Sequence, residues 1–259
     1  MRFSFACQTI TWGDEQDARF PEVFREIAEA GFQGVEIGFR RIASQEPEAF
    51  CRELDRHGLK LVASHIGGNL ADLNQARGEW DILTKVLDFL NAADAGLLML
   101  SGIHGKDPET LKQELDFYEK AEASCAARSV NLLYHNHEWE FTSAHNIFEA
   151  MLERKAFRFC PDLGWIYKGN RVVTDVLEQI AGRIGAVHFK DFAALEPRIN
   201  TVTLGDGAAP LVECAEWIKS HITDPCWIIA EQDSSDIDTA EMARKNAAFL
   251  KTHFQGDAK

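Results

Sequence analysis

The chain has 259 residues, of which 41 are acidic and 27 are Lys or Arg, so its formal net charge is -14 at pH 7. Hydrophobic residues make up 46% of it, with 17 Phe and 6 Trp, which is enough apolar surface to exclude intrinsic disorder. The acidic balance argues against a nucleic-acid binder, because such proteins need a basic surface to neutralise phosphates. No apolar run approaches the roughly 20 residues of a membrane span, and no secretory signal is evident. We therefore expect a soluble, cytoplasmic protein.

The six cysteines are scattered among apolar neighbours, and no two of them form a Cys-x-x-Cys pair. A zinc ribbon or a disulfide framework would need paired or regularly spaced cysteines. We therefore expect small, buried thiols of a reduced cytosolic protein. The six are Cys7, Cys51, Cys125, Cys160, Cys214 and Cys226.

Short apolar runs alternate with longer amphipathic segments along the whole chain. Eight of the runs are typical of strands that are buried on both faces, as the strands of a parallel sheet are. They are residues 3–7, 34–37, 60–65, 97–100, 131–135, 158–160, 186–189 and 227–231.

Helical patterns lie between these runs. Residues 20–30 carry an apolar stripe that stops at Gly31, which is typical of a helix C-terminus. Pro47 and Pro108 each stand among acidic residues, as expected for the first turn of a helix. Thr174 resembles an N-cap that precedes another apolar stripe.

Eight β-then-α units without a long linker indicate an α/β protein with a parallel sheet. Its most economical closed form is a single (β/α)8 TIM barrel, whose usual length of about 250 residues fits residues 1–259 as one domain. An open, doubly wound sheet is the alternative. Such a sheet is expected to carry a Gly-rich phosphate loop after its first strand, and residues 9–13 contain neither GxGxxG nor GxxxxGKS.

Ionisable side chains occur at the predicted strand ends, where the active sites of such barrels lie. Asp162, His188 and Glu231 come from three consecutive strands, which places them around one side of the barrel mouth. The fourth ligand is expected from strand five, either His135 at its end or Glu140 in the loop that follows. A set of His and carboxylate side chains without Cys suits Mn²⁺, Mg²⁺, Co²⁺ or Zn²⁺. The sequence therefore predicts a divalent-metal site.

Other residues near the strand ends have two interpretations each. Glu36 on strand two can contact substrate hydroxyls or pair with a neighbouring cation. Lys190 can act on the reacting group or lie at the rim, paired with Asp191. Trp12 and Trp165 can stack on a ligand or fill the core. A lone His is more often a hydrogen-bonded scaffold residue than a ligand. We expect that scaffold role for His57, His145, His221 and His253, and His104 is undecided between the two roles.

Seven short motifs complete the pattern: Gly34-Val35-Glu36, Ala63-Ser64-His65, YHNHEWEF at 134–141, PDLGW at 161–165, VHFKD at 187–191, LGDG at 204–207 and EQD at 231–233. In their order and spacing, the sequence resembles the sugar phosphate isomerase/epimerase superfamily, the xylose isomerase-like barrels that include inosose dehydratases and ketose epimerases. The resemblance covers nearly the whole chain and implies a divalent metal held at strands five to eight. Asp162, His188 and Glu231 match the implied ligand positions, whereas His135 stands where many members have Glu.

The resemblance and the candidate site together predict a metal-dependent sugar isomerase or epimerase that acts through an enediolate on a ketose or keto-cyclitol. We expect Mn²⁺ as the cofactor, with Mg²⁺, Co²⁺ or Zn²⁺ as alternatives. The expected partner is a small-molecule sugar or cyclitol, with no nucleic acid or membrane, and a homo-oligomer is compatible with such a barrel. An inosose-type dehydratase is the alternative reaction, and a non-catalytic barrel that binds sugar or protein is the alternative of another class.

The residue roles follow from this chemistry. Glu231 is expected to be both ligand and base, and Lys190 to neutralise the enediolate or protonate a leaving hydroxyl. His65 is a candidate acid, and Glu140 is a further catalytic candidate. The expected substrate contacts are Glu36, His137, Trp12 and Trp165. Whether the substrate is phosphorylated is open, because Arg198 is the only isolated candidate for binding a phosphate.

Overall fold

The computed structural model describes residues 2–102, 107–142 and 147–255. Its main sheet contains eight parallel strands in the order β6-β5-β4-β3-β2-β1-β10-β7. They are β1 (Phe3–Gln8), β2 (Gly34–Gly38), β3 (Lys60–Gly68), β4 (Leu97–Gly102), β5 (Asn131–His135), β6 (Arg158–Cys160), β7 (Ala186–Phe189) and β10 (Cys226–Ala230). All eight predicted strands are therefore confirmed, with boundaries that differ by at most three residues. The short antiparallel pair of β8 (Asp191–Phe192) and β9 (Thr201–Val202) was not predicted.

The two edge strands of this sheet, β6 and β7, meet and nearly close it into a barrel. Parallel bridges join Phe159 to Ile184 and Asp162 to His188. In the second bridge, the amide of His188 donates a hydrogen bond of 2.9 Å to the carbonyl of Pro161. The predicted (β/α)8 TIM barrel is confirmed, and the open, doubly wound alternative is wrong.

Helices connect the strands of the barrel. They are α1 (Phe20–Ala30), α2 (Phe39–Ile42), α3 (Pro47–Arg56), α4 (Leu73–Ala92), α5 (Pro108–Ala126), α6 (Trp139–Thr142), α7 (Ile147–Leu152), α8 (Leu163–Lys168), α9 (Val173–Ile180), α10 (Leu211–His221) and α11 (Thr239–Phe254). As predicted, α1 ends where Gly31 adopts a left-handed φ of 93°. The predicted N-cap Thr174 is wrong, since it lies inside α9, whose N-cap Val172 makes no side-chain hydrogen bond. Within the described residues, no helix has both the length and the apolar composition that crossing a membrane requires.

The apolar core has two parts. The larger part lies between the strands and the surrounding helices. A smaller cluster, here called the barrel plug, is formed by Ala6, Val62, Ala63, Met99, Leu133, Cys160, Ala186 and Ile229. Because successive strand residues face opposite sides, the residue two positions after a plug residue faces the same side of its strand. That alternation determines which side chains meet above the plug.

The expected burial of the cysteines is confirmed for all but Cys51. All six are free thiols, five are buried, and Cys51 is partly exposed.

Candidate metal centre and active site

Four buried side chains meet at the carboxyl ends of neighbouring barrel strands. His135 ends β5, Asp162 follows β6, His188 lies on β7 and Glu231 follows β10. Each offers one ligand atom, and these four atoms lie within 4.8 Å of one another. None of the four residues is more than 5% exposed. The structure thus brings together Asp162, His188 and Glu231, which the sequence predicts as metal ligands, with His135, one of its two candidates for the fourth.

Several polar atoms in this group have no hydrogen-bond partner. They are both ring nitrogens of His135 and Oδ2 of Asp162. His135 Nε2 lies 3.5 Å from Asp162 Oδ2 and 3.5 Å from Glu231 Oε2. A buried polar atom without a partner typically costs about 1–3 kcal/mol, so such atoms rarely converge by chance. Two imidazoles and two carboxylates form a donor set that fits a divalent cation.

The orientation of Asp162 is fixed by its neighbours. Its Oδ1 accepts a hydrogen bond of 2.8 Å from the amide of Trp165 and so caps α8. The Asn136 side chain exchanges two hydrogen bonds with the Asp162 backbone, at 3.0 and 3.2 Å. Gly164 is needed here because a Cβ atom would lie 2.5 Å from the Lys190 carbonyl oxygen. Oδ2 of Asp162 is thereby left to face the other candidate ligands.

The imidazole of His188 is bound at both nitrogens. Nδ1 lies 2.5 Å from Glu231 Oε2, and Nε2 lies 2.8 Å from Glu36 Oε2. Burial disfavours the imidazolium, yet the two carboxylates raise the pKa of His188 well above its usual value. Burial likewise opposes ionisation of Glu36, but His188 lowers the pKa of that carboxyl to about 2. In the metal-free chain, His188 is therefore a proton-bearing link between two carboxylates.

Lys190 is a buried cation beside the candidate ligands and is 1% exposed. Its Nζ lies 3.0 Å from Asp233 Oδ1, 3.3 Å from Glu231 Oε1 and 3.6 Å from Asp162 Oδ2. It also lies 4.9 Å from the centre of the Trp165 ring. Burial disfavours the ammonium, but the nearby carboxylates raise the pKa of Lys190 above its usual value. The side chain is therefore held in its charged form.

The interpretation that pairs Lys190 with Asp191 at the rim is wrong. Asp191 is itself buried, and its carboxylate accepts hydrogen bonds from four backbone amides, those of Phe192, Gly205, Gly207 and Ala209. It thereby fixes the loop that contains the LGDG motif.

Two further histidines, His65 and His137, lie close to His135. The ring centroids of both are 5.1 Å from that of His135. His65 Nε2 lies 2.9 Å from Ser101 Oγ, whereas Nδ1 of His137 has no hydrogen-bond partner. Burial lowers the pKa of His65, and burial together with His135 and Lys190 lowers the pKa of His137 well below its usual value. Both are neutral imidazoles, suited to hydrogen bonding.

Glu140 lies behind the strand-five loop rather than among the four candidate ligands. It is fully buried on α6, where its carboxylate accepts hydrogen bonds from the Tyr134 hydroxyl and, at 2.9 Å, from the His137 amide. The Tyr134 ring packs 5.3 Å from that of Tyr118 on α5, which places it on the helix side of β5. Glu140 thus supports the backbone of the loop.

The two tryptophans that the sequence predicts as substrate contacts lie in different environments. Trp12 belongs to the larger core, and its indole N–H donates a 2.7 Å hydrogen bond to Glu26 Oε2. Trp165 lies in the site, with its ring centroid 5.5 Å from that of His137. Its indole nitrogen is buried and has no hydrogen-bond partner.

An ion pair links the loops after β5 and β8. Arg198 pairs with Glu138, with Nη2 3.2 Å from Oε2, and its guanidinium lies 5.1 Å and 4.8 Å from the ring centres of Trp139 and Trp165. The loop of Arg198 is anchored by Lys168, whose ammonium donates to the carbonyls of residues 194, 195 and 197. His104 and His145 lie outside the described residues.

Sequence reasoning assigned no role to three residues of this site: Asn136, Asp233 and Ser101. Asn136 and Asp233 belong to motifs that the sequence displays, so the motifs could have drawn attention to them. Their partners, Asp162 and Lys190, are distant in the chain, so only the fold shows the pairing.

The chain belongs to the xylose isomerase-like TIM barrel family, whose model matches residues 24–253. It is similar to an inosose dehydratase from Mesomycoplasma hyopneumoniae, with 23% identity over 91% of this chain and 89% of that protein. Among solved structures, a sugar phosphate isomerase/epimerase from Parabacteroides distasonis superposes with a TM-score of 0.78 and 18% identity, covering 96% of this chain and 93% of that one. A D-allulose 3-epimerase from Methylomonas sp. has a TM-score of 0.77 and 17% identity, covering 98% of both chains. At these identities, the solved structures show a shared fold.

Proposed function

We propose that the chain is a divalent-metal-dependent enzyme that removes a proton beside the carbonyl of a ketose or keto-cyclitol and isomerises or epimerises it through an enediolate. The observation that carries this proposal is the buried group of His135, Asp162, His188 and Glu231, which contains unpartnered ligand atoms. The similarity to an epimerase, an isomerase/epimerase and a dehydratase supports it. Mn²⁺ is the metal that we propose first, with Mg²⁺, Co²⁺ and Zn²⁺ as alternatives, because a donor set of imidazole and carboxylate suits all four.

The residues of the site have complementary roles in this reaction. A bound divalent cation would polarise the substrate carbonyl and acidify the adjacent C–H bond. Glu231 is the proposed proton acceptor, since its carboxylate lies among the candidate ligands, beside the carbon that would lose the proton. The Lys190 ammonium stabilises negative charge that develops on the substrate oxygen. His137 Nδ1 and the Trp165 indole N–H, both unpartnered, are available to bind substrate hydroxyls.

Dehydration is the second candidate, and the buried ammonium of Lys190 favours it. After Glu231 has taken the proton beside the carbonyl, the C–O bond at the next carbon breaks and its electrons leave with the hydroxyl. Lys190 gives that hydroxyl a proton, so water departs and a carbon–carbon double bond remains, conjugated to the carbonyl. A two-base epimerase needs an acid–base group on each face of the substrate, and strand five supplies His135 rather than Glu.

The first test is calorimetric titration of the metal-free protein with Mn²⁺, Mg²⁺, Co²⁺ and Zn²⁺. We expect binding by the wild type and loss of binding in Asp162→Ala. The exposed Asp175→Ala on α9 is the matched control and should bind as the wild type does. A wild-type chain that binds none of the four metals contradicts the proposal.

The second test is incubation with a panel of ketoses and keto-cyclitols in D₂O. Isomerisation, epimerisation and dehydration all begin with proton removal, so each can place deuterium beside the carbonyl. A new sugar detected by NMR identifies isomerisation or epimerisation, whereas an ultraviolet-absorbing enone identifies dehydration. Activity that survives both a chelator and His188→Ala is incompatible with metal-assisted enolisation.

A further inference from the structure

We infer that Glu36 is a positioning residue for His188: its carboxylate accepts the Nε2–H of His188, so that Nδ1 is the nitrogen that would bind a divalent cation. This rests on the proposed function for the presence of the metal, while the hydrogen bond itself is a property of the chain. Glu36 Oε2 lies 2.8 Å from His188 Nε2, and neither residue is exposed. The role differs from the substrate contact that the sequence predicts for Glu36.

The fold directs Glu36 toward His188 from a distant strand. Glu36 lies on β2, which is separated from β7 by β1 and β10 in the sheet order, so the contact spans the barrel interior. The pairing of β2 with β3 shifts register between Val35 and Glu36. Val35 pairs with Leu61 and Glu36 with Ala63, so the extra residue, Val62, is on β3. Such bulges often lie beside active sites. The irregularity therefore lies in the partner strand, directly beside Glu36.

The other oxygen of Glu36 faces a second histidine. Oε1 lies 3.7 Å from His65 Nδ1, which is too long for a hydrogen bond, and it has no hydrogen-bond partner. The His65 side chain is 17% exposed, whereas that of Glu36 is 0% exposed. His65 is thus the more accessible of the two for contact with substrate. Glu36 has its closest polar contact with His188.

The chemistry of imidazole explains why this contact matters. A neutral imidazole carries a proton on one ring nitrogen and can bind a metal through the second. The hydrogen bond that the protonated nitrogen donates determines which nitrogen keeps the proton. A carboxylate on Nε2 requires the proton there. A divalent cation that displaced the other ring proton would therefore find the lone pair on Nδ1, which is the nitrogen 2.5 Å from the candidate ligand Glu231. Removing such an outer carboxylate typically weakens metal binding about 10- to 100-fold.

The experiment compares Glu36→Met, which removes the acceptor at similar length, with Glu36→Gln, which keeps a neutral acceptor. Glu26→Met is the matched control, because Glu26 is a buried glutamate that binds Trp12 and Thr239 outside the site. Mn²⁺ affinity is measured by calorimetry. The ring N–H resonances of the ¹⁵N-labelled, metal-free protein are measured at one pH, and His188→Gln assigns the signal of His188.

We expect wild type and Glu26→Met to show an exchange-protected Nε2–H signal of His188, and Glu36→Met to lose it. Mn²⁺ binding should weaken about 10- to 100-fold in Glu36→Met, less in Glu36→Gln, and less than about 2-fold in Glu26→Met. If Glu36→Met does not fold, Glu36→Gln replaces it as the test. A weaker Mn²⁺ affinity and a shifted Nε2–H signal of His188 in Glu36→Gln then support the inference.

The outcomes separate this inference from the proposed function. Unchanged Mn²⁺ affinity in both Glu36 variants overturns the inference and leaves the metal centre standing. A raised KM with unchanged Mn²⁺ affinity also overturns it and makes Glu36 a substrate contact. A wild type that shows the Glu36-dependent N–H signal but binds no metal overturns the proposed function, while the hydrogen bond that the inference assigns is upheld.

Discussion

The barrel interior has two layers that are built on the same strands, an apolar plug and an ionic layer above it. In four strands, a plug residue is followed two positions later by a proposed metal ligand: Leu133 by His135, Cys160 by Asp162, Ala186 by His188 and Ile229 by Glu231. All eight are at most 5% exposed, so burial does not distinguish the layers. The layers differ in chemistry, since the side chains of the plug are hydrocarbon or thiol and the ionic layer contains charges that are costly to bury. The plug stabilises the strand ends, and these rigid ends hold the side chains of the ionic layer in place.

The largest effect that we expect in the ionic layer is on catalysis in Lys190→Met. The variant removes the ammonium beside Glu231 and Asp233, so charge on the reacting oxygen is no longer neutralised. Groups that transfer or stabilise a proton typically contribute about 10²- to 10⁴-fold, and we expect kcat to fall by that range. Mn²⁺ affinity should be unchanged or higher, because a competing cation is gone. A kcat within about 5-fold of wild type contradicts a catalytic role for Lys190.

A substitution in the plug should have the opposite effect: it should lower the free energy of unfolding and leave Mn²⁺ binding intact. Leu133→Ala removes a fully buried side chain, and such changes typically lower the free energy of unfolding by about 2–5 kcal/mol. Urea unfolding monitored by tryptophan fluorescence measures this loss. Leu73→Ala on α4, where Leu73 is 57% exposed, is the control and should stay within about 0.5 kcal/mol. If Leu133→Ala abolished Mn²⁺ binding in the folded protein, the two layers would not be separable.

Substitution of Glu140 tests whether this residue belongs to the ionic layer. It is as buried as the proposed ligands, yet it binds the Tyr134 hydroxyl and the His137 amide. Glu140→Gln should lower the free energy of unfolding by about 1–2 kcal/mol, because a charge-assisted bond becomes neutral. Calorimetry should show Mn²⁺ affinity within about 3-fold of wild type, whereas His135→Ala should lose most of it. The reverse ranking would make Glu140 the strand-five ligand.

Local sequence signals were sufficient for the strands and for three of the proposed ligands, and they left His135 and Glu140 as alternatives for the fourth. An uninterrupted apolar run indicates a strand that is buried on both faces. An ionisable residue such as His188 within or just after such a run indicates a functional position. Side-chain contacts across the barrel could not be predicted from the sequence, because Glu36 and His188 are 152 residues apart and Lys190 and Asp233 are 43 residues apart. Nothing in the sequence around Glu36 distinguishes a side chain that crosses the barrel from one that meets substrate.

The smallest effect that we expect is on the reactivity of Cys160, which lies in the plug two residues before Asp162. Burial raises the pKa of this thiol to about 11, so about one molecule in a thousand is thiolate at pH 8, and the sulfur is also inaccessible. Ellman's reagent should therefore label Cys51 in the native protein and reach Cys160 only through opening of the barrel. Labelling of Cys160 is measured over time by peptide mass spectrometry. If the plug alone controls this opening, Leu133→Ala should increase the labelling rate of Cys160, while Asp162→Ala should leave it unchanged. Equal acceleration in both variants would mean that the ionic layer also holds the barrel closed, and that its charges stabilise the fold as well as serve function.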